Sequence, residues 1–160
     1  MGTATWILAV AATATLTLQT PSRPNFSGEW VVLPTRSYES YDGWGRREIV
    51  KLFGDRFWAE QTADVLSIAI DDQKAFQWVY RLDGTLSRHL PLGPTGPQPT
   101  STAAWADGAL VITMTSAGRG GTLTATTRRV LRLNDDGTLR IEARTVPNGA
   151  TSVSVYARER

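Results

Sequence analysis

The chain contains no cysteine and only one histidine, His89, among its 160 residues. These absences exclude disulfides, thiol catalysis, thiolate metal ligands and a histidine-rich metal site. Net charge is small as well, because 17 Lys and Arg side chains face 15 Asp and Glu side chains, and the arginines are spread along the chain. Nucleic-acid binding usually needs a clustered basic stripe. We therefore expect no metal, no cofactor and no nucleic-acid partner.

The first 20 residues carry no charged side chain. They contain an apolar run at residues 6–12 and are followed at once by Pro21, Arg23 and Pro24. Such a stretch is typical of a secretory signal peptide, and it is too short and too rich in threonine for a stable membrane span. We expect residues 1–20 to be a signal peptide and the protein to be periplasmic or secreted. An uncleaved apolar helix or an additional strand is the alternative.

Residues 21–160 are expected to form one domain, because their length and composition suit a single globular core. Apolar and polar residues alternate with a period of two, the pattern of half-buried strands. Trp78 and Tyr80 share one face of such a segment, and Val79 should point outward. Asp-Gly pairs at 83–84, 107–108 and 136–137 indicate tight hairpin turns. The predicted strands are 26–33, 48–53, 56–61, 64–70, 75–82, 85–90, 100–105, 109–116, 122–133, 138–146 and 151–157.

No segment predicts a long helix. Short strands joined by tight turns favour an all-β fold, an antiparallel up-and-down meander of about 8–10 strands. Closing this sheet into a barrel leaves no exposed edge, so a barrel is expected and a β-sandwich is the alternative. The proline-rich segment 91–99 is predicted to be a surface loop, because proline lacks the amide donor that a central strand needs. The threonine-rich strand 122–129, which ends in Arg128 and Arg129, is interpreted as a solvated polar face.

The first predicted strand contains Gly28-Glu29-Trp30, a Gly-x-Trp motif close to an expected export signal. This arrangement resembles lipocalins and the wider calycin group. The resemblance implies that Trp30 closes one end of the barrel and that a basic residue near the last strand, here Arg158, covers its ring. The later order of Asp-Gly turn, proline-rich loop and Ala104-Trp105-Ala106-Asp107-Gly108 resembles small exported bacterial proteins described as lipocalin-like.

Aromatic residues mark the candidate binding positions. The segment 35–47 carries three aromatic rings and two adjacent arginines, and in a lipocalin-like barrel the first loop folds over the open mouth. Rings there could cover an apolar ligand while an arginine meets a carboxylate or phosphate; the alternative is that the rings plug the barrel. Aromatics on the strands could line a cavity or simply fill it. The candidate ligand-binding residues are Tyr38, Tyr41, Trp44, Arg46, Trp58 and Trp78.

No catalytic residue can be assigned, since the sequence lacks a nucleophile elbow, a phosphate loop and a Ser-His-Asp order. The lone His89 has no apparent partner for acid–base or metal chemistry. The function expected is therefore a non-enzymatic, exported binding protein for a small hydrophobic or aromatic molecule. A ligand-free structural or interaction protein of the cell envelope is the alternative, and the sequence indicates no particular protein partner.

Overall fold

The computed structural model describes residues 23–40, 51–70, 77–91, 98–117, 123–146, 149 and 151–159. These segments contain one 3₁₀ helix, Pro34–Arg36, and no helix long and apolar enough to cross a membrane. The remaining structure is β, as predicted. The strands are β1 (Gly28–Val32), β2 (Tyr38–Ser40), β3 (Arg56–Gln61), β4 (Val65–Ala69), β5 (Gln77–Arg81), β6 (Ser87–Arg88), β7 (Thr100–Ala106), β8 (Ala109–Ala117), β9 (Leu123–Leu133), β10 (Leu139–Val146) and β11 (Thr151–Arg158).

The strands pair antiparallel in a single sheet whose order is β5-β4-β3-β1-β11-β10-β9-β8-β7-β6, with β2 paired to β11. The two ends of this sheet, β5 and β6, follow one another in the chain and come together in space. The Arg81 amide donates to Ser87 Oγ at 2.9 Å, and the Gly84 amide donates to the Ala103 carbonyl oxygen at 2.9 Å. The sheet is thus a nearly closed barrel, and the prediction of an up-and-down meander is confirmed.

Alternation of side chains sets the inside and the outside of the barrel. On β5, Trp78 and Tyr80 are buried, whereas Gln77, Val79 and Arg81 are exposed, as predicted. On β3, Phe57 and Ala59 are buried between more exposed residues. The largest fully buried side chains of the core are Phe26, Trp30, Phe53, Phe57, Leu66, Ile68, Tyr80, Leu110, Ile112, Leu131, Leu139 and Tyr156.

One end of the barrel, here called the base, carries four hairpin turns: residues 62–64, 83–84, 107–108 and 134–137. Trp30 lies fully buried towards this end, and its Nε1 donates to the Phe26 carbonyl oxygen at 2.8 Å. The Arg158 guanidinium carbon lies 4.8 Å from the centre of the Trp30 ring, and the same guanidinium donates to the Asn25 carbonyl oxygen at 3.0 Å. These contacts tie the start of β1 to the end of β11.

Gly28 is required where the start of β1 meets the end of β11. Its φ is +137°, a conformation that side-chain-bearing residues rarely adopt. A Cβ at this position would lie 3.4 Å from Nε of Arg158, so the arginine stem passes directly over the glycine. The glycine of the Gly-x-Trp motif therefore gives the backbone a special conformation and leaves room for the arginine that covers Trp30.

The predicted strand 48–53 is wrong for its described part, because residues 51–53 are not in a strand. Two amides of this segment bind side chains instead of a neighbouring strand: Leu52 N donates to Ser154 Oγ at 3.2 Å, and Phe53 N donates to Tyr156 Oη at 3.0 Å. The expected signal peptide 1–20, the candidate residues Tyr41, Trp44 and Arg46, and residues 92–97 of the proline-rich segment lie outside the described residues.

Replacing Gly28 by alanine tests this closure. We expect Gly28→Ala to lower the free energy of unfolding by about 1–3 kcal/mol, because alanine is strained at this φ. Urea denaturation monitored by tryptophan fluorescence measures the loss. Gly137→Ala is the matched control, since Gly137 also has positive φ but a Cβ added there would have no neighbour within 4 Å. Equal losses in the two variants would contradict a special role for Gly28.

Candidate functional site

Arg129 points into the barrel, although the preceding residue, Arg128, is exposed on its outside. On β9 it is paired with Ile112 of β8 and with Ala143 of β10, both of which are buried. Residues directly opposite each other on neighbouring strands share one face of the sheet, so Arg129 shares the inner face. This corrects the interpretation of 122–129 as a solvated polar face: β9 lies within the sheet, and only alternate residues face solvent.

The Arg129 guanidinium lies against an aromatic ring rather than an acid. Its central carbon is 4.9 Å from the centre of the Phe53 ring, close enough for a cation–π interaction. Its Nε is buried and has no hydrogen-bond partner among the described residues, and no carboxylate in that part of the chain pairs with it. A half-buried charge without a counter-ion is costly. Arg129 is therefore the group in this interior with the strongest need for an anion.

The Tyr80 hydroxyl is a second polar group turned into this interior. It is fully buried and makes no hydrogen bond of good geometry with the described residues. Burial raises the pKa of Tyr80 to about 12; the positive charge of Arg129, and a close approach of its guanidinium to the Tyr80 hydroxyl oxygen, only partly oppose this rise. Tyr80 is thus a neutral phenol at physiological pH, free to donate a hydrogen bond to an acceptor that enters the barrel.

His89 is the third polar residue of this interior, and it contacts residues of both β5 and β7. Its Nε2 lies 2.7 Å from Ser101 Oγ, whereas its buried Nδ1 has no partner in the described part of the chain. The imidazole packs against Trp78 and Tyr80, with ring centres 4.8 and 5.2 Å apart. Burial first, and the Arg129 charge second, lower the pKa of His89 below its ordinary value. The ring is therefore neutral at pH 7.

Phe53 covers the other side of Arg129. The ring is buried and packs on Phe57 at 5.2 Å, and Phe57 in turn meets Tyr156 edge-on at 4.9 Å. The Tyr156 hydroxyl accepts from the Phe53 amide, and burial raises the pKa of this tyrosine. Tyr156 therefore differs from Tyr80: its hydroxyl already holds the backbone that positions Phe53.

Together, Tyr80, His89, Ser101 and Arg129 form what we call the interior polar cluster. It combines one fixed cation with neutral groups that have unused hydrogen-bonding capacity. No set of residues suited to hold a metal ion occurs in the described segments. An arrangement of this kind is suited to bind an acidic group of a ligand, because charge-assisted hydrogen bonds from arginine are among the strongest in proteins.

The structure separates the candidate residues proposed from the sequence. Trp78 is buried inside the barrel against His89. Trp58 instead lies on the outer face of β3, beside Glu60, Ser67, Ala69 and Gln77, because it alternates with the buried Phe57 and Ala59. It cannot line the interior, which corrects that expectation.

Tyr38 is also directed away from the interior. It is 40% exposed on β2, and its hydroxyl lies near Arg140 on the outside of β10. Tyr38 is therefore not part of the interior polar cluster, and its contact with a ligand at the mouth stays a prediction.

Sequence reasoning missed Arg129 and His89 for different reasons. Arg129 has the same parity as Leu131 on β9, so strict alternation would have placed it inside. The threonine-rich composition around it indicated a polar, solvent-facing strand instead. His89 follows the short strand β6 at the seam of the barrel, and its contacts with Trp78 and Tyr80 of β5 depend on closure of the sheet, which no local pattern reveals.

The geometry defines a nearly closed, antiparallel β-barrel that contains the interior polar cluster. No protein-family model and no curated protein matches the chain. Among solved structures, the chain is similar to the one described as "Crystal structure of fluorescent protein UnaG wild type". The TM-score is 0.51 at 16% identity, and the match covers 84% of this chain and 97% of the other. The likeness supports the fold and does not extend to activity.

Titration of the single histidine tests the environment of this cluster. Because the folded pKa of His89 is lowered from 6.5, the unfolded chain binds this proton at higher pH than the folded chain does. The free energy of unfolding should therefore fall as pH drops from 6.5 through the folded pKa. An NMR titration of the imidazole protons should give a pKa below 6.5, and urea denaturation should show lower stability at acidic than at neutral pH.

His89→Gln is the control for this titration, since glutamine keeps a polar side chain facing Ser101 but does not titrate. The fall in stability on acidification should be smaller in this variant than in the unmodified protein. A histidine pKa at or above 6.5 would show that the imidazole is not desolvated beside a cation.

Proposed function

We propose that this chain is an exported, non-enzymatic protein that binds a small, partly apolar molecule with one acidic group inside its barrel. The observation that carries the proposal is Arg129, a half-buried interior cation with no acidic partner in the described part of the chain. Barrels of this size can enclose one small ligand. The structural similarity to UnaG supports the barrel fold that this proposal requires.

The ligand's acidic group would lie against the Arg129 guanidinium. Tyr80 Oη, His89 Nδ1 and Trp105 Nε1 are the other buried side-chain polar atoms without a hydrogen bond of good geometry among the described residues. The first two belong to the interior polar cluster and would meet the same group or a neighbouring polar atom. Filling these positions removes the penalty for buried polar groups that lack hydrogen bonds.

The apolar part of the ligand would contact side chains that already surround the cluster. Trp78 is buried beside His89, Phe53 lies on Arg129, and Met114 is a partly buried residue that packs against the core. This division between one charged contact and several apolar contacts is typical of small-molecule sites. The proposal thus adds an acidic group to the ligand that the sequence predicts, a small hydrophobic or aromatic molecule.

Export is the second part of the proposal and is supported by the uncharged, apolar composition of residues 1–20 and the proline and arginine that follow them. The absence of cysteine is compatible with an oxidising compartment, because no thiol in the chain can be oxidised.

Isothermal titration calorimetry with dodecanoate and dodecanol tests the interior site. These probes share an alkyl chain and differ only in the acidic group. We expect dodecanoate to bind more tightly than dodecanol, and Arg129→Gln to weaken dodecanoate about 10- to 150-fold, the loss of one charge-assisted hydrogen bond. The affinity for dodecanol should stay within a few-fold.

Arg81→Gln is the matched control, because it removes the same charge from the exposed face of β5. It should leave both affinities unchanged. Equal weakening of the acid by the two substitutions would indicate only a general charge effect and would contradict the assignment. If neither dodecanoate nor dodecanol binds the unmodified protein, the result would favour the ligand-free envelope protein instead.

Expression of the full chain in a Gram-negative host tests export. We expect the protein in the periplasmic fraction, with an intact mass lower than the full chain by about 20 residues, because the leader would be removed on translocation. Mass spectrometry of the fractionated protein measures both. A variant that lacks residues 1–20 should remain in the cytoplasm. Recovery of the uncut chain from the cytoplasm alone would contradict export.

A further inference from the structure

The outer face of β8, β9 and β10 carries a row of polar side chains that the interior site does not use. Thr113 on β8 is directly opposite Arg128 on β9, and Arg128 is directly opposite Arg144 on β10. Both arginines are exposed. Side chains of directly opposite residues lie next to each other on the sheet surface. The row therefore places two guanidinium groups side by side with a hydroxyl at one end.

A second pair of facing arginines on the same strands shows what is unusual about the first. Arg132 is opposite Arg140. Arg140 pairs with the Glu142 carboxylate at 3.1 Å, and Arg132 donates to the Asp107 carbonyl oxygen at 3.3 Å. Although partial burial opposes it, the hydrogen bonds that Arg140 donates to Tyr38 and Glu142 raise the pKa of Arg140. The second pair thus has its own acceptors within the protein.

Arg128 and Arg144 have no comparable acceptor. Within the described segments, neither forms an ion pair with a carboxylate or a side-chain hydrogen bond. Like charges directly opposite each other on a sheet destabilise the pairing of their strands. The fold therefore holds two exposed arginines at directly opposite positions, without an ion pair from the described residues.

A groove surrounds this pair of arginines. Its volume is about 470 Å³, within the range of small-molecule sites. Val130 and Val146 provide apolar surface on the two sides of the row, and Val146 is 59% exposed. The full lining is Thr113, Thr126, Arg128, Val130, Glu142, Arg144 and Val146.

We infer that this groove binds a small organic phosphate monoester, with the phosphate between Arg128 and Arg144. A carboxylate has two oxygens, which one arginine fork can satisfy. A phosphate monoester carries close to two negative charges and three terminal oxygens, so it can accept from two forks and a hydroxyl at once. Thr113 supplies that hydroxyl, and the valines contact the organic part. Glu142 lies two residues from Arg144 on the same strand face, which disfavours a long polyanion along the groove.

Calorimetric titration with phenyl phosphate, at constant ionic strength and neutral pH, tests this site. We expect binding to the unmodified protein, with benzoate at least tenfold weaker because it offers fewer oxygens and less charge. Arg128→Gln and Arg144→Gln should each weaken phenyl phosphate at least tenfold. Arg81→Gln, which removes an equal charge elsewhere on the outer surface, should have no effect.

Two further measurements make the result specific to the groove. Saturation of the protein with dodecanoate should leave phenyl phosphate binding intact, since the interior cluster and the groove are on opposite faces of β9. Displacement by dodecanoate would place the phosphate inside the barrel and overturn the inference. In the absence of phosphate, Arg128→Gln should not lower the denaturation midpoint, because it removes a repulsion; a large drop would assign Arg128 a structural role instead.

Co-sedimentation with phosphatidylcholine vesicles, with and without phosphatidate, identifies the source of the phosphate. Binding that requires phosphatidate and both arginines, without binding of phenyl phosphate, would support phosphate recognition and assign it to a lipid headgroup. Binding of neither phenyl phosphate nor phosphatidate vesicles would overturn the inference.

Discussion

Closure of the sheet is the constraint on which the rest of this molecule depends. Most strands pair with a neighbour in the chain, β1 pairs with β11, and the meeting of β5 with β6 and β7 joins the two remaining edges. Each unpaired edge would expose a row of amides and carbonyls to other molecules. Closure also creates the interior: His89 packs against Trp78 and Tyr80 of β5 because the two ends of the sheet meet.

The interior that results is divided between two kinds of packing. Towards the base, Phe26, Trp30, Leu110 and Leu131 are almost completely buried, and the Arg158 guanidinium covers the Trp30 ring. Beside this apolar packing, the barrel holds polar side chains with single buried atoms, such as His89 Nδ1 and Arg129 Nε, that lack a hydrogen bond in the described segments. A core chosen only for stability would replace such groups by hydrophobic ones, since buried polar atoms without partners are unfavourable. The ligand proposed above would supply the missing partners.

Much of this architecture could be predicted from local sequence patterns, because alternation and Asp-Gly turns act over a few residues. The strand Arg56–Gln61 and the burial of Trp78 and Tyr80 follow from them. Trp58 shows that the position of a residue along its strand outweighs its hydrophobicity. It lies two residues from the exposed Glu60 and therefore on the same outer face. The segment that contains Phe53 could not be predicted, because its amides depend on side chains about a hundred positions later, on β11.

The inward position of Arg129 could not be predicted, because the composition and the register of its strand indicate opposite faces. The surrounding threonines indicate a solvated strand, whereas pairing with Ile112 and Ala143 turns every second residue inward. The same alternation places Arg128 and Arg129, adjacent in sequence, on opposite faces of the wall. β9 thus contributes one cation, Arg129, to the interior polar cluster and a second, Arg128, to the outer groove. Each arginine can be substituted without changing the other.

The turn between β3 and β4 has a practical use for studying this protein. Thr62 and Asp64 are exposed there, the Thr62 hydroxyl caps the Val65 amide at 3.1 Å, and the exposed Ala63 lies between them. Since the chain has no thiol of its own, a cysteine introduced at Ala63 would be chemically unique. A fluorophore or a surface tether attached through it would sit at the base, on β strands that contribute no residue to the arginine row.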